Sequence, residues 1–161
     1  MIVEALMING QHELDAPPWQ QFESTLMATS KLIRRAFDLE LAELGLNLSE
    51  ACMLLYVVEN GAMSQTQAAE HFGMGRAPVG TIVDHLCELM LVRRVPSPSD
   101  RRVWHLSSTT KGQKFAERVV KIEIEVRKQL RAGSSREERE QLSVTLLRIQ
   151  QNLAGIIEQH Q

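Results

Sequence analysis

"SQTQAAEHFGMGRAPVGTIVDHL", Ser64 to Leu86, holds two helical patterns separated by Gly73-Met74-Gly75. Ser64 and Gln67 stand three apart, the spacing at which a hydroxyl and a side-chain amide satisfy each other's exposed backbone donors at a helix start. Ala68, Ala69 and Phe72 supply an apolar face, and Gly73 stops the helix. In the second pattern Val79, Ile82, Val83 and Leu86 recur at threes and fours, which buries one stripe and leaves Arg76, Gly80, Thr81, Asp84 and His85 largely outside. Pro78 falls in the first turn, where a missing amide costs nothing. Two short helices joined by a tight glycine-containing turn form a helix-turn-helix, whose second helix enters a DNA major groove.

Downstream, Leu91 to Val95 and Val103 to Ser107 are short β-branched or alternating runs, and the stretch between them holds Pro96 and Pro98. They read as a hairpin, and a hairpin directly after a helix-turn-helix is a wing. Its tip carries Asp100, Arg101 and Arg102. A planar, weakly hydrated guanidinium suits a narrow minor groove or a phosphate ridge, and Asp100 is expected to orient an arginine and stiffen the tip. Trp104 alternates with Leu106 and is expected to make a small core contact. The net charge is -2, yet residues 76–114 hold seven Lys or Arg against three acids, whereas residues 41–75 hold none against four. Such a local basic face is the electrostatic footprint of a polyanion binder.

Upstream, residues 1–18 show no sustained period and read as an extended arm. From Trp19 the pattern is helical through Phe22, Leu26, Ile33, Phe37, Leu41 and Leu44, and Gly45 ends it. Ser49 is expected to cap a further helix through Leu54, Leu55 and Val58, ending at Asn60-Gly61. Beyond the wing, Phe115, Val119, Ile122, Val126 and Leu130 form a long stripe broken at Ala132-Gly133-Ser134. Ser135 with Glu138 makes another capping box, after which Leu142, Leu146, Ile149, Leu153 and Ile156 continue the pattern. These helices carry more apolar surface than a small winged helix covers, so they form a layer with the Trp19–Leu44 helix, inside one monomer or between two chains.

Other classes find little support. A chain of 161 residues, 43% hydrophobic and 4% aromatic, fits one mostly helical domain with additions. It shows no apolar run of membrane-spanning length and no basic signal-like start, so a cytoplasmic protein without a membrane partner is expected. Cys52 and Cys87 lack metal spacing, and His71, His85 and His105 are scattered without acidic or thiol companions, so neither metal nor cofactor is expected. No nucleophile with a base and an orienting acid is legible, and an enzyme is not expected.

The residues just described carry a resemblance. The chain resembles the MarR family of winged helix-turn-helix transcriptional regulators, from about Trp19 to the C-terminus by element order. The most specific part is Asp100-Arg101-Arg102 followed by Thr109 and Lys111-Gly112, similar to the family pattern D-x-R, strand, L-T-x-x-G. The chain departs from that pattern at Ser108 where the family has leucine, at Met90 where it commonly has glycine, and at Pro78 early in the recognition helix. The resemblance implies that Arg102 reaches the minor groove, Asp100 braces the wing and Thr109 begins the next helix. It also implies a homodimer on a near-palindromic site, with recognition helices about 34 Å apart, and a small aromatic or phenolic effector; some such regulators use cysteine oxidation instead.

The expected architecture is mainly α, a winged helix-turn-helix with a helical dimerisation layer and a small β-hairpin wing. Residues 1–18 form the arm, 19–46 and 109–161 the dimerisation region, and 47–108 the DNA-binding lobe. The expected function is a sequence-specific regulator of transcription on double-stranded DNA, a repressor released by a small ligand. Its contact residues would be Arg76, Gly80, Thr81, Asp84, His85, Arg101 and Arg102, with Asp100 supporting the wing. The alternative is a winged-helix protein-interaction module without DNA binding.

Overall fold

The computed structural model describes residues 17, 21–97 and 103–160. In chain order these form α1 (Phe22–Leu41), a 3-10 turn (Ala42–Leu44), α2 (Leu48–Asn60), β1 (Met63–Ser64), α3 (Gln65–Phe72) and α4 (Arg76–Glu88). Then come β2 (Val92–Pro96), β3 (Trp104–Ser108), α5 (Thr110–Leu130) and α6 (Arg136–Glu158). The chain divides into two compact units, residues 1–126 and 127–161, with the boundary inside α5.

The first unit is held by a core to which every helix from α1 to α5 contributes, including Leu41, Leu54, Val57, Leu86, Leu106 and Val119. Each large aliphatic side chain removed from water there contributes about 1.5–3 kcal/mol before chain entropy is charged against it. The stripe expected on α4 is buried in full: Val79, Ile82, Val83 and Leu86. The stripe on α1 is buried only over its later turns, at Phe37 and Leu41, while Phe22 and Leu26 stay exposed.

Asn47, and not Ser49, caps α2. The Asn47 side chain accepts from the Glu50 amide at 3.0 Å, and the Glu50 carboxylate accepts from the Asn47 amide at 2.8 Å. Both residues are good N-caps, but only Asn47 has a glutamate three positions on to close the reciprocal box. Ser49 instead accepts a hydrogen bond from Arg34 at 3.1 Å.

The sheet has three antiparallel strands in the order β1-β3-β2, where a two-stranded hairpin was expected. Met63 pairs with Leu106 and Ser64 with His105, so the residue that caps α3 is also the end of a strand. Two residues are too few to display a period of two. On the other side β2 pairs with β3 from Val92 opposite Ser108 to Pro96 opposite Trp104. Trp104 is not a core contact: it is 55% exposed. It lies beyond the reach of β1, whose pairing stops at Leu106 and His105, and its strand partner is the exposed Pro96.

In the second unit, residues 127–161, Ser135 and Glu138 form the expected capping box at the start of α6. No residue of α6 is buried. Leu142, Val144, Leu147, Leu153, Ile156 and Ile157 are all exposed.

Candidate nucleic-acid interface

The helix pair α3–α4 is built by local chemistry. The Ser64 hydroxyl accepts from the Gln67 amide at 3.1 Å, and the Gln67 side chain accepts from the Ser64 amide at 2.8 Å. Gly73 takes the left-handed conformation, φ 59°, that turns the chain out of α3, and Met74 donates back to the Ala69 carbonyl at 3.0 Å. Gly75 then begins α4 without any side-chain cap. An uncapped helix start leaves backbone donors and the positive end of the helix dipole for an outside anion. Arg76 stands exposed at that end.

Along α4, Thr81 and Asp84 are exposed, while Gly80 and His85 are partly buried. Thr81 donates its hydroxyl back to the Ala77 carbonyl at 3.3 Å. A side chain at Gly80 would meet Gln65 Nε2 of α3 at 3.4 Å, so the nearest neighbour is inside the protein and gives no steric requirement for glycine. Asp84 is held by Arg94 of β2 at 2.6 Å, which offsets a carboxylate otherwise unwelcome near phosphate and ties the strand to the helix. His85 does not simply face outward: its Nδ1 lies 2.8 Å from Glu50 Oε1 of α2, with the ring 37% exposed and the Glu50 side chain 12%.

The exit of α4 is a tight joint. Met90 adopts a left-handed backbone, φ 57°, the conformation that a glycine reaches without a side-chain clash. Thr109 receives the Gly112 amide on its hydroxyl at 2.9 Å and donates that hydroxyl to the Met90 carbonyl at 2.7 Å. Its amide donates to the Leu91 carbonyl at 3.1 Å, and Lys111 reaches the Leu89 carbonyl at 2.7 Å. Gly112 is buried against the Leu91 carbonyl, where a Cβ would overlap backbone atoms. The Thr-x-x-Gly spacing thus fastens the start of α5 to the end of α4.

Cys87 lies beside this joint. Burial pushes its thiol up from the ordinary range; Arg94 opposes the rise and Asp84 adds to it. It therefore carries less thiolate at neutral pH than an exposed cysteine. No group of three His, Cys, Asp or Glu among the described residues is arranged to hold a metal ion.

The wing's strands are closed by the Ser97 amide donating to the Val103 carbonyl at 2.8 Å. Asp100, Arg101 and Arg102 lie outside the described residues. Exposed cations among the described residues from 76 to 114 include Arg76, Arg93 and Lys111. Sequence reasoning missed Glu50, although the Asn47-x-x-Glu50 spacing would have placed it at a helix start; its contact with His85 has no local signal.

Residues 44–103 match the MarR family. The chain is 27% identical over 150 residues to the HTH-type transcriptional regulator PecS of Dickeya dadantii, covering 91% of this chain and 90% of PecS. Its fold is similar to that of the crystal structure of the transcriptional regulator SlyA, with a TM-score of 0.76 at 21% identity, covering 87% of this chain and 99% of that one. A Staphylococcus aureus MepR–DNA complex is matched with a TM-score of 0.76 at 21% identity, covering 83% and 98%. A probable transcriptional regulator from Pseudomonas aeruginosa gives 0.74 at 24% identity, covering 80% and 96%.

Proposed function

We propose that this chain, which belongs to the MarR family, represses transcription as a cytoplasmic homodimer that seats two α4 helices in a near-palindromic operator. A small aromatic or phenolic ligand releases it. The observation that carries the reading is the α3–α4 pair, whose second helix buries one stripe and starts uncapped beside exposed Arg76. In this reading Arg76 and the start of α4 take a phosphate. Thr81 and His85 meet base edges, while Asp84 holds Arg94 in place. Arg101 and Arg102 enter the adjacent minor groove, with Asp100 bracing the wing.

A second copy of the chain is supported by exposure. Phe22, Leu26, Met27 and Leu32 of α1, and the apolar residues of α6 named above, stand in water in the single chain. So many large apolar side chains exposed on each of these helices is rare on a monomer. No single helix among the described residues is long and apolar enough to cross a membrane.

The test is titration of duplex fragments, selected from the source genome, at several salt concentrations. A protein neutralising six or more phosphates loses about a thousandfold or more in affinity between 50 and 200 mM salt. Arg102→Glu should weaken binding by at least about tenfold. A lobe that serves a protein partner instead predicts weak binding, flat with salt and equal for both proteins, and that result overturns the reading.

A further inference from the structure

Resting on the reading of α4 as the groove helix, we propose that His85 is a specificity-determining residue whose hydrogen-bonding character is set by Glu50. Glu50 is a buried carboxylate at the start of α2. One of its oxygens accepts the Asn47 amide at 2.8 Å, and the other lies 2.8 Å from His85 Nδ1. An ionised carboxylate only accepts, so the hydrogen between the two groups belongs to Nδ1. A neutral imidazole has one ring hydrogen. With that hydrogen held on Nδ1, Nε2 keeps its lone pair and acts as an acceptor.

His85 keeps a third of its surface in solvent and follows exposed Thr81 by one helical turn, so the two share a flank of α4. Asp84, its neighbour on the helix, is engaged by Arg94. In a major groove an acceptor pairs with an amino group, N6 of adenine or N4 of cytosine, and meets only like acceptors on guanine O6 and thymine O4. Glu50 therefore governs which bases His85 accepts without touching nucleic acid.

Glutamine at position 50 reverses the arrangement. The Asn47 amide can only donate, so the glutamine oxygen stays with it and the NH2 group turns to the ring. Nδ1 then accepts, the ring hydrogen moves to Nε2, and His85 becomes a donor suited to guanine, thymine or adenine N7 and left without a partner on cytosine.

The experiment is selection from randomised duplexes by the full chain at pH 8, above the ordinary imidazole range, with thermal unfolding measured alongside. Wild type is expected to prefer adenine or cytosine at one position per half-site. His85→Ala should lose that preference and keep the rest of the profile. Glu50→Gln should raise guanine and thymine relative to cytosine at that one position by about fivefold or more. Identical profiles for Glu50→Gln and wild type, or a full preference retained by His85→Ala, overturn the proposal. Should Glu50→Gln fail to fold, the His85→Ala profile decides. A wild type that selects no duplex sinks the DNA-binding reading itself, a result distinct from an unchanged profile.

Discussion

Gly112 and Met90 meet at one joint from opposite directions, and each has a measurable cost. At Gly112 a methyl group would overlap the Leu91 carbonyl, which also receives the Thr109 amide, so the clash cannot relax without breaking the start of α5. Gly112→Ala is expected to lose about 2–3 kcal/mol, seen as a lower urea midpoint with an unchanged slope. At Met90 the left-handed backbone costs a side-chain-bearing residue about 1–2 kcal/mol, and glycine would give back about 0.5–1 of that in chain entropy. The Met90 side chain is 64% exposed, so little packing is lost. Met90→Gly should raise stability by about 0.5–1 kcal/mol; an equal or lower midpoint would refute the strain. Glycine at 112 was legible from the Thr-x-x-Gly spacing, but its reason, a carbonyl twenty-one residues back in the chain, was not.

At the scale of elements, α3 and α4 were readable because the cap of α3 and the apolar stripes of both are interactions among residues three or four apart. Ser64 makes the point testable, since it caps α3 and also pairs with His105 across the sheet through its backbone. Ser64→Ala removes the cap and leaves the strand, so about 1 kcal/mol should be lost, and Ser64→Asp should restore most of it. Loss of stability unrelieved by aspartate would mean that the hydroxyl acts elsewhere. Strand β1 was illegible for want of length, and Asn47 was missed because Ser49 is chemically as good a cap. Trp104 was misplaced because alternation tells which face a side chain takes but not how far the neighbouring strand covers that face.

For the whole molecule the open question of the sequence, one chain or two, turns on α6. Its apolar side chains were expected to need a cover, and none of them is buried in the single chain. A homodimer predicts a melting temperature that rises with protein concentration, since association stabilises by mass action. It also predicts that Leu147→Glu together with Leu153→Glu yields a one-chain species by sedimentation. That variant should lose most of its duplex affinity, because two half-sites are no longer engaged together. A double variant that sediments as wild type would exclude α6 from the interface.

The capping boxes of α3 and α6, the turn between α3 and α4, and the basic segment followed from the order of residues alone, because each depends on groups within one helical turn or on simple charge. The path of the chain in space was needed for the rest. Glu50 meets His85 across thirty-five positions, and Arg94 meets Asp84 across ten. These pairings fix how side chains on the exposed flank of α4 are held, and they exist because folding brings α2 and β2 against α4, a proximity that no local periodicity encodes.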